Sequence, residues 1–212
     1  MGDTLPRDPG GGEGYNAAMT DRFVSRGGEK LQAAVEAFGL DVAGWTCADF
    51  GANVGGFTDC LLQHGAVKVF AVDTGYGDLA WKLRKDPRVV VMERTNALYA
   101  ACPEPVDLVV ADMAWTPQSL FLPVAATWLK PGGRIVSLLK PHYEQAKLQG
   151  KKPHKVLTAA ESAEVCRAVR AQLEAAGFEI RGLIPSPIEG KGGNVEYLLH
   201  VTMADCRLPI AD

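Results

Sequence analysis

A glycine-rich turn constrains the fold more than any other stretch of the chain: residues 49–59 read D-F-G-A-N-V-G-G-F-T-D. A short apolar run at 45–50 feeds the turn, and the turn feeds a helix-like segment at 56–64. A strand, a glycine turn and a helix in that order bring backbone N–H groups and a helix N-terminus to one point, where the anionic end of a nucleotide-like ligand docks. After a second apolar run at 67–72 comes Asp73. It lies at roughly the 20-residue spacing from which a carboxylate takes ribose hydroxyls in nucleotide-binding α/β units. The dinucleotide pattern G-x-G-x-x-G needs glycine at position 53, and Asn53 stands there. The turn therefore predicts a ribose-bearing ligand other than NAD.

Strands and helices alternate around this turn. Leu31, Ala34, Val35 and Phe38 fall at helical spacing and predict a helix over 28–39. Strands are expected near 46–50, 67–72, 88–92, 106–111 and 133–139, with helices near 56–64, 77–84 and 118–129. Lys130-Pro131-Gly132-Gly133 reads as a sharp helix-to-strand turn. A long helix over 158–176 ends at Gly177, and two strands close the chain near 178–184 and 195–202. Such alternation predicts an α/β fold, a mostly parallel sheet covered by helices on both faces. Residues 1–20 hold five glycines, two prolines and little apolar periodicity, so they are expected to form a flexible tail before a single domain over 21–212.

Composition narrows the function classes. A net charge of −3 means that a nucleic-acid partner would have to be met by a local basic patch. No apolar stretch approaches a membrane span, and no strongly amphipathic basic segment supports pore formation. The five cysteines are odd in number, scattered and without a C-x-x-C pair, which reads as reduced thiols of a cytoplasmic protein and not a zinc site or disulfide framework.

Five separate stretches share one resemblance: V-S-R-G-G-E-K-L (24–31), G-A-N-V-G-G-F-T-D-C-L-L-Q (51–63), A-V-D-T-G (71–75), L-L-K-P-H-Y-E (138–144) and G-G-N-V-E-Y-L-L (192–199). In that order, from Val24 to His200, they resemble the FtsJ/TlyA-type ribosomal RNA 2′-O-methyltransferases. The resemblance implies a Rossmann-like methyltransferase fold that binds S-adenosylmethionine and methylates a ribose. It carries the family's Lys-Asp-Lys-Glu tetrad onto Lys30, Asp112, Lys140 and Glu196. The residues support that assignment: Asp112 and Lys140 each end an apolar strand, where ligands of open α/β sheets sit. Glu196 interrupts the last apolar run. For the cofactor, the resemblance implies Gly51, Asn53, Gly55, Gly56 and Phe57 at the methionine end, Asp73 on the ribose and Thr95 and Asn96 beside the adenine, with Asp112 facing the sulfonium. Asn96 reads equally well as a helix cap.

The expected RNA surface is the run from Lys140 to Lys155, with five lysines, two histidines and one acid. Lys147, Lys151, Lys152 and Lys155, together with Arg22 and Arg26, would make a basic rim around the cleft. Two features depart from the TlyA pattern. The stretch D-M-A-W-T-P at 112–117 is similar instead to a bacterial cytidine 2′-O-methyltransferase of large-subunit ribosomal RNA, and a glycine-rich tail stands where TlyA proteins carry an S4-type RNA-binding domain. Two other readings stay open at the level of sequence: a catalytically silent RNA-binding or assembly factor with the same fold, and a nicotinamide dehydrogenase.

Overall fold

The computed structural model describes residues 22–150, 156–190 and 192–204. The expected tail at 1–20 lies outside them, as do Lys151, Lys152 and Lys155. The chain runs α1 (Gly27–Ala37), β1 (Thr46–Phe50), α2 (Gly56–Gln63), β2 (Lys68–Val72), α3 (Trp81–Arg84), β3 (Val89–Met92), β4 (Val106–Ala111), α4 (Gln118–Thr127), β5 (Leu129–Leu139), α5 (Pro141–Leu148), α6 (Ala159–Ala175), β6 (Phe178–Pro185) and β7 (Tyr197–Met203). The seven strands form one sheet in the order β3-β2-β1-β4-β5-β7-β6. The first five are parallel, and β7 pairs antiparallel with both β5 and β6.

Strands β1, β2 and β4 are buried on nearly every residue because both of their faces are covered. Side chains alternate between the faces, so Cys47, Val69 and Leu108 join Leu31 of α1 and Leu61 of α2 in one core. Ala48, Phe70 and Val109 join Phe121 of α4 and Leu173 of α6 in the other. Phe50 packs edge-on against Trp128 with ring centroids 4.9 Å apart. The start of α6 is fixed by a capping box, in which Thr158 Oγ1 accepts from Glu161 N–H and the Glu161 carboxylate accepts from Thr158 N–H.

Three local expectations are corrected. Residues 141–148 form a helix that is missing from the expected series between the strand at 133–139 and the helix at 158–176; Pro141 at its first position was the available signal, since proline is pre-organised for a helix start. The Lys130–Gly133 turn is taken up inside β5 as an irregularity, with Leu129 paired to Val106 before the register shifts to Arg134 opposite Leu108. Helix α3 begins only at Trp81, because Gly77 has φ +83° and Ala80 is extended at ψ 138°.

Candidate functional site

Strand order reverses at β1, which lies between β2 and β4. Chains leaving β1, β2, β4 and β5 at their carboxyl ends enter Gly51, Asp73, Asp112 and Lys140 respectively. In an open α/β sheet this is the crevice where ligands bind. Two cavities of about 260 and 310 Å³ open there and share Gly51, Asn53 and Asp112 as a common wall. The first is also lined by Arg26, Lys30, Asp49, Gly56, Phe57, Gly190 and Glu196. The second is lined by Asp73, Thr95, Asn96, Met113 and Trp115 among others.

The four expected tetrad residues come together as two ion pairs. Lys140 Nζ pairs with Asp112 Oδ1, and the Lys140 side chain is only 11% exposed. Lys30 Nζ pairs with Glu196 Oε2 at 2.6 Å, with side chains 12% and 5% exposed. Lys30, Glu196 and Asp112 line the first cavity, while Lys140 stands behind Asp112. The end of β5 that carries Lys140 is braced from behind: Gln118 Nε2 donates to Leu138 O, Ser137 Oγ donates to Gln118 Oε1, and the buried Glu144 carboxylate accepts from Gln118 N–H. Glu196 lies against the main chain of Gly190, where a side chain would collide with its carboxylate.

The glycine turn has reasons of its own to be glycine. Gly51 has φ +81°, and a Cβ there would stand 2.6 Å from the Asp112 carbonyl oxygen. Gly55 caps α2 in the left-handed region with φ +99°, and a Cβ would run into Leu79 and Leu83. It lines neither cavity, and Gly56 packs against α1. Close protein packing thus explains two glycines whose sequence signal suggested close approach of a ligand.

Asp73 shapes the wall between the cavities. Its Oδ2 accepts from the Asn53 backbone N–H at 2.8 Å, and its Oδ1 accepts from Gly75 N–H at 2.7 Å. The first bond holds Asn53 in an unusual φ of +48°. Thr95 N–H donates to Asp73 O, and Asn96 Oδ1 accepts from Leu98 N–H in a turn that no helix follows, so Asn96 is not a helix cap and it lines the second cavity. Replacing Asp73 by alanine is expected to weaken nucleoside binding by about 1.5–3 kcal/mol, the loss of a charge-assisted hydrogen bond. Calorimetry with S-adenosylhomocysteine checks it, and unchanged affinity would exclude Asp73 from the ligand's contacts.

Asp49 is the site residue that sequence reading missed. It is 1% exposed yet lines the first cavity. Its Oδ2 accepts from Thr58 N–H and Oγ1 at the start of α2, and its Oδ1 is buried with no hydrogen-bond partner. Burial above all raises its pKa from 3.8 to about 7, opposed by the Thr58 hydrogen bonds and assisted by Asp112 and Asp73. The signal was present: an acid one residue from the end of an apolar strand, directly before the glycine turn.

Of the expected basic rim, Arg26 is exposed and lines the first cavity, Arg22 is exposed with its guanidinium 5.0 Å from the Phe23 ring centroid, and Lys147 is exposed on α5. The described cysteines are all free. Burial above all pushes the Cys47 and Cys60 thiols up to about 12, which leaves them inert as nucleophiles at neutral pH. Among the described residues, no helix is long and apolar enough to cross a membrane.

The sequence model of the FtsJ-like methyltransferases matches residues 23–203. Among curated proteins, the chain is 42% identical over 187 residues to YqxC of Bacillus subtilis, provisionally named an rRNA methyltransferase, covering 85% of this chain and 66% of that one. It is 45% identical over 181 residues to the 16S/23S rRNA (cytidine-2′-O)-methyltransferase TlyA of Mycobacterium tuberculosis, covering 84% and 67%. The chain thus spans about two thirds of the length of these relatives. A crystal structure from Lactococcus lactis, provisionally named a hemolysin, superposes with a TM-score of 0.78 at 37% identity, covering 85% of this chain and 88% of that one.

Proposed function

The chain belongs to the FtsJ-like methyltransferase family, and from that premise we propose that it methylates a ribose 2′-hydroxyl of ribosomal RNA, a cytidine ribose in the first instance, using S-adenosylmethionine. The observation that carries this reading is the Lys140–Asp112 pair at the carboxyl ends of neighbouring strands, with Asp112 on the wall of the glycine-turn cavity and Lys140 directly behind it. A ribosomal RNA substrate makes the enzyme cytoplasmic.

The residues fit the cofactor. The buried, partnerless oxygen of Asp49, a residue that lines the first cavity, suits the ammonium of an amino-acid ligand, beside Gly51, Asn53, Gly56 and Phe57. Asp73, Thr95 and Asn96 in the second cavity suit a nucleoside. S-adenosylmethionine, when bound, supplies a methyl group already activated on a sulfonium. What remains for the protein is alignment and the fate of one proton. As the neutral amine, Lys140 hydrogen-bonds the ribose hydroxyl and takes its proton, while Asp112 holds that amine in place. Lys30 and Glu196 orient the nucleotide from the wall of the first cavity. A silent assembly factor would have no use for the buried Lys30–Glu196 pair, which costs desolvation to keep, beside a second, part-buried lysine–carboxylate pair.

Recombinant protein, labelled S-adenosylmethionine and ribosomal RNA test the reading directly. Label appearing as 2′-O-methylribose supports it, and no transfer to RNA from cells lacking this gene would overturn it. Cofactor affinity should also rise as pH climbs through about 7, because deprotonated Asp49 attracts an ammonium. The same raised pKa has the opposite sign for stability. The native state binds the proton that the unfolded chain releases, so Asp49's contribution falls as pH rises from about 4 to about 7. Asp49→Asn should flatten the affinity profile, measured by calorimetry across that range.

Lys147 marks the start of the expected RNA rim. Neutralising Lys147, Lys151 and Lys152 together should weaken RNA binding and reduce the slope of log affinity against log salt, with cofactor affinity unchanged. An identical salt slope in the triple variant would remove this segment from the RNA path.

A further inference from the structure

Beyond the rim of the second cavity lies a surface whose residues line neither cavity. Tyr76 and Trp81 are each 68% exposed. Both carry a cation over the ring: the Arg94 guanidinium carbon is 4.1 Å from the Tyr76 centroid, and the Lys85 ammonium is 4.8 Å from the Trp81 centroid. Three segments supply these groups, and one carboxylate ties them together. Glu93 accepts from Gly77 N–H at 2.9 Å on the Tyr76 loop and pairs with Arg84 of α3, next to the end of β3 that carries Arg94. Arg94 itself has φ +51°, a conformation rare for a residue with a side chain, held by its N–H donating to Gly75 O at 3.0 Å.

Charge on this surface is arranged so that the cations beside the rings stay available. Arg84 is paired with Glu93, Lys82 with Asp59 and Arg88 with Asp86. Among the described residues, Arg94 and Lys85 have a ring face for a partner and no carboxylate; Asp78 is the exposed acid on the same loop. Exposed rings interleaved with unpaired cations suit a ligand that offers flat π-faces and phosphates in alternation. A contiguous apolar patch, as a protein partner would favour, is not what these residues make.

We infer that Tyr76–Arg94 and Trp81–Lys85 form a stacking platform for an unpaired stretch of the substrate RNA next to the modified nucleotide. The inference rests on the proposed RNA methylation. Continuity supports it: Thr74 and Thr95, which line the second cavity, are within two residues of Tyr76 and Arg94 in the chain.

The test is binding without turnover, by fluorescence anisotropy with a mixed-sequence single-stranded RNA 12-mer and its duplex. Tyr76→Ala with Trp81→Ala should lower single-strand affinity on the order of ten-fold per ring, since base–aromatic stacking has that size. Duplex affinity should hold, and Tyr76→Phe with Trp81→Phe should retain single-strand binding. Equal single-strand affinity in the alanine pair, or an equal loss for single strand and duplex, would overturn the platform. Should the alanine pair fold poorly, photo-crosslinking of the unaltered protein decides. Crosslinks at Tyr76 or Trp81 support the proposal, and crosslinks confined to 140–155 refute it. Neither readout needs methyl transfer, so failure of the platform and failure of the enzymatic reading are told apart by the transfer assay.

Discussion

Lys140→Ala is expected to lower single-turnover methyl transfer by about 10²–10⁴-fold, the usual cost of losing one acid–base group. Fold and cofactor affinity should stay close to those of the parent, because Lys140 lines neither cavity and touches Asp112 and Met113 O. Lys140→Arg should not restore the rate: a guanidinium remains protonated and presents a planar fork in place of a compact amine. Asp112→Ala should lose transfer too, and weaken the cofactor as well, because Asp112 belongs to the wall of both cavities. Near-normal single-turnover transfer by Lys140→Ala would falsify the assignment, and activation of the hydroxyl would then have to come from elsewhere in the cleft.

Glu196→Ala should be costly in a different currency. It leaves the Lys30 ammonium, 12% exposed, without its partner, and breaking a buried pair from one side typically costs about 3–5 kcal/mol. Replacing both partners, Lys30→Met with Glu196→Leu, should recover most of that stability, because no charge is left stranded and apolar groups of similar volume refill the site. Methyl transfer should stay lost in the double variant. Chemical denaturation and a transfer assay on the same samples separate the two effects. A double variant as unstable as Glu196→Ala would show that the pair is held by more than its charges, and an active double variant would remove it from the reaction.

Much of the fold could be read in advance because each signal was local. The runs over 46–50 and 106–111 are strands in their expected places, since a parallel strand covered on both faces buries nearly every residue and so is mostly apolar. The glycine turn and the strand-end positions of Asp112 and Lys140 were likewise visible one segment at a time. Errors came where a local signal had two causes. A glycine allows a ligand or a neighbouring side chain to approach, and at Gly55 the neighbours are Leu79 and Leu83. Lysines suit a loop or a helix, and only Pro141 distinguished them at α5. Asp49 passed as a residue of a strand because its two oxygens meet different fates, one held by the start of α2 and one buried without a partner.

The sequence by itself determined that Gly51, Asp73, Asp112 and Lys140 would gather, because each follows a strand of one parallel set and parallel strands end on the same edge. It did not determine where Lys30 and Glu196 would go. Glu196 precedes its strand, and in a parallel strand that position would lie at the edge remote from the cleft. Strand β7 runs antiparallel to β5 instead, pairing Tyr197 with Leu139, and so brings Glu196 level with the end of β5, beside Lys140. Lys30, 166 residues earlier, reaches it from α1 and closes the second pair. Strand direction is a property of the assembled sheet, set by which edge the last hairpin can occupy and bury, and no local pattern in the chain encodes it.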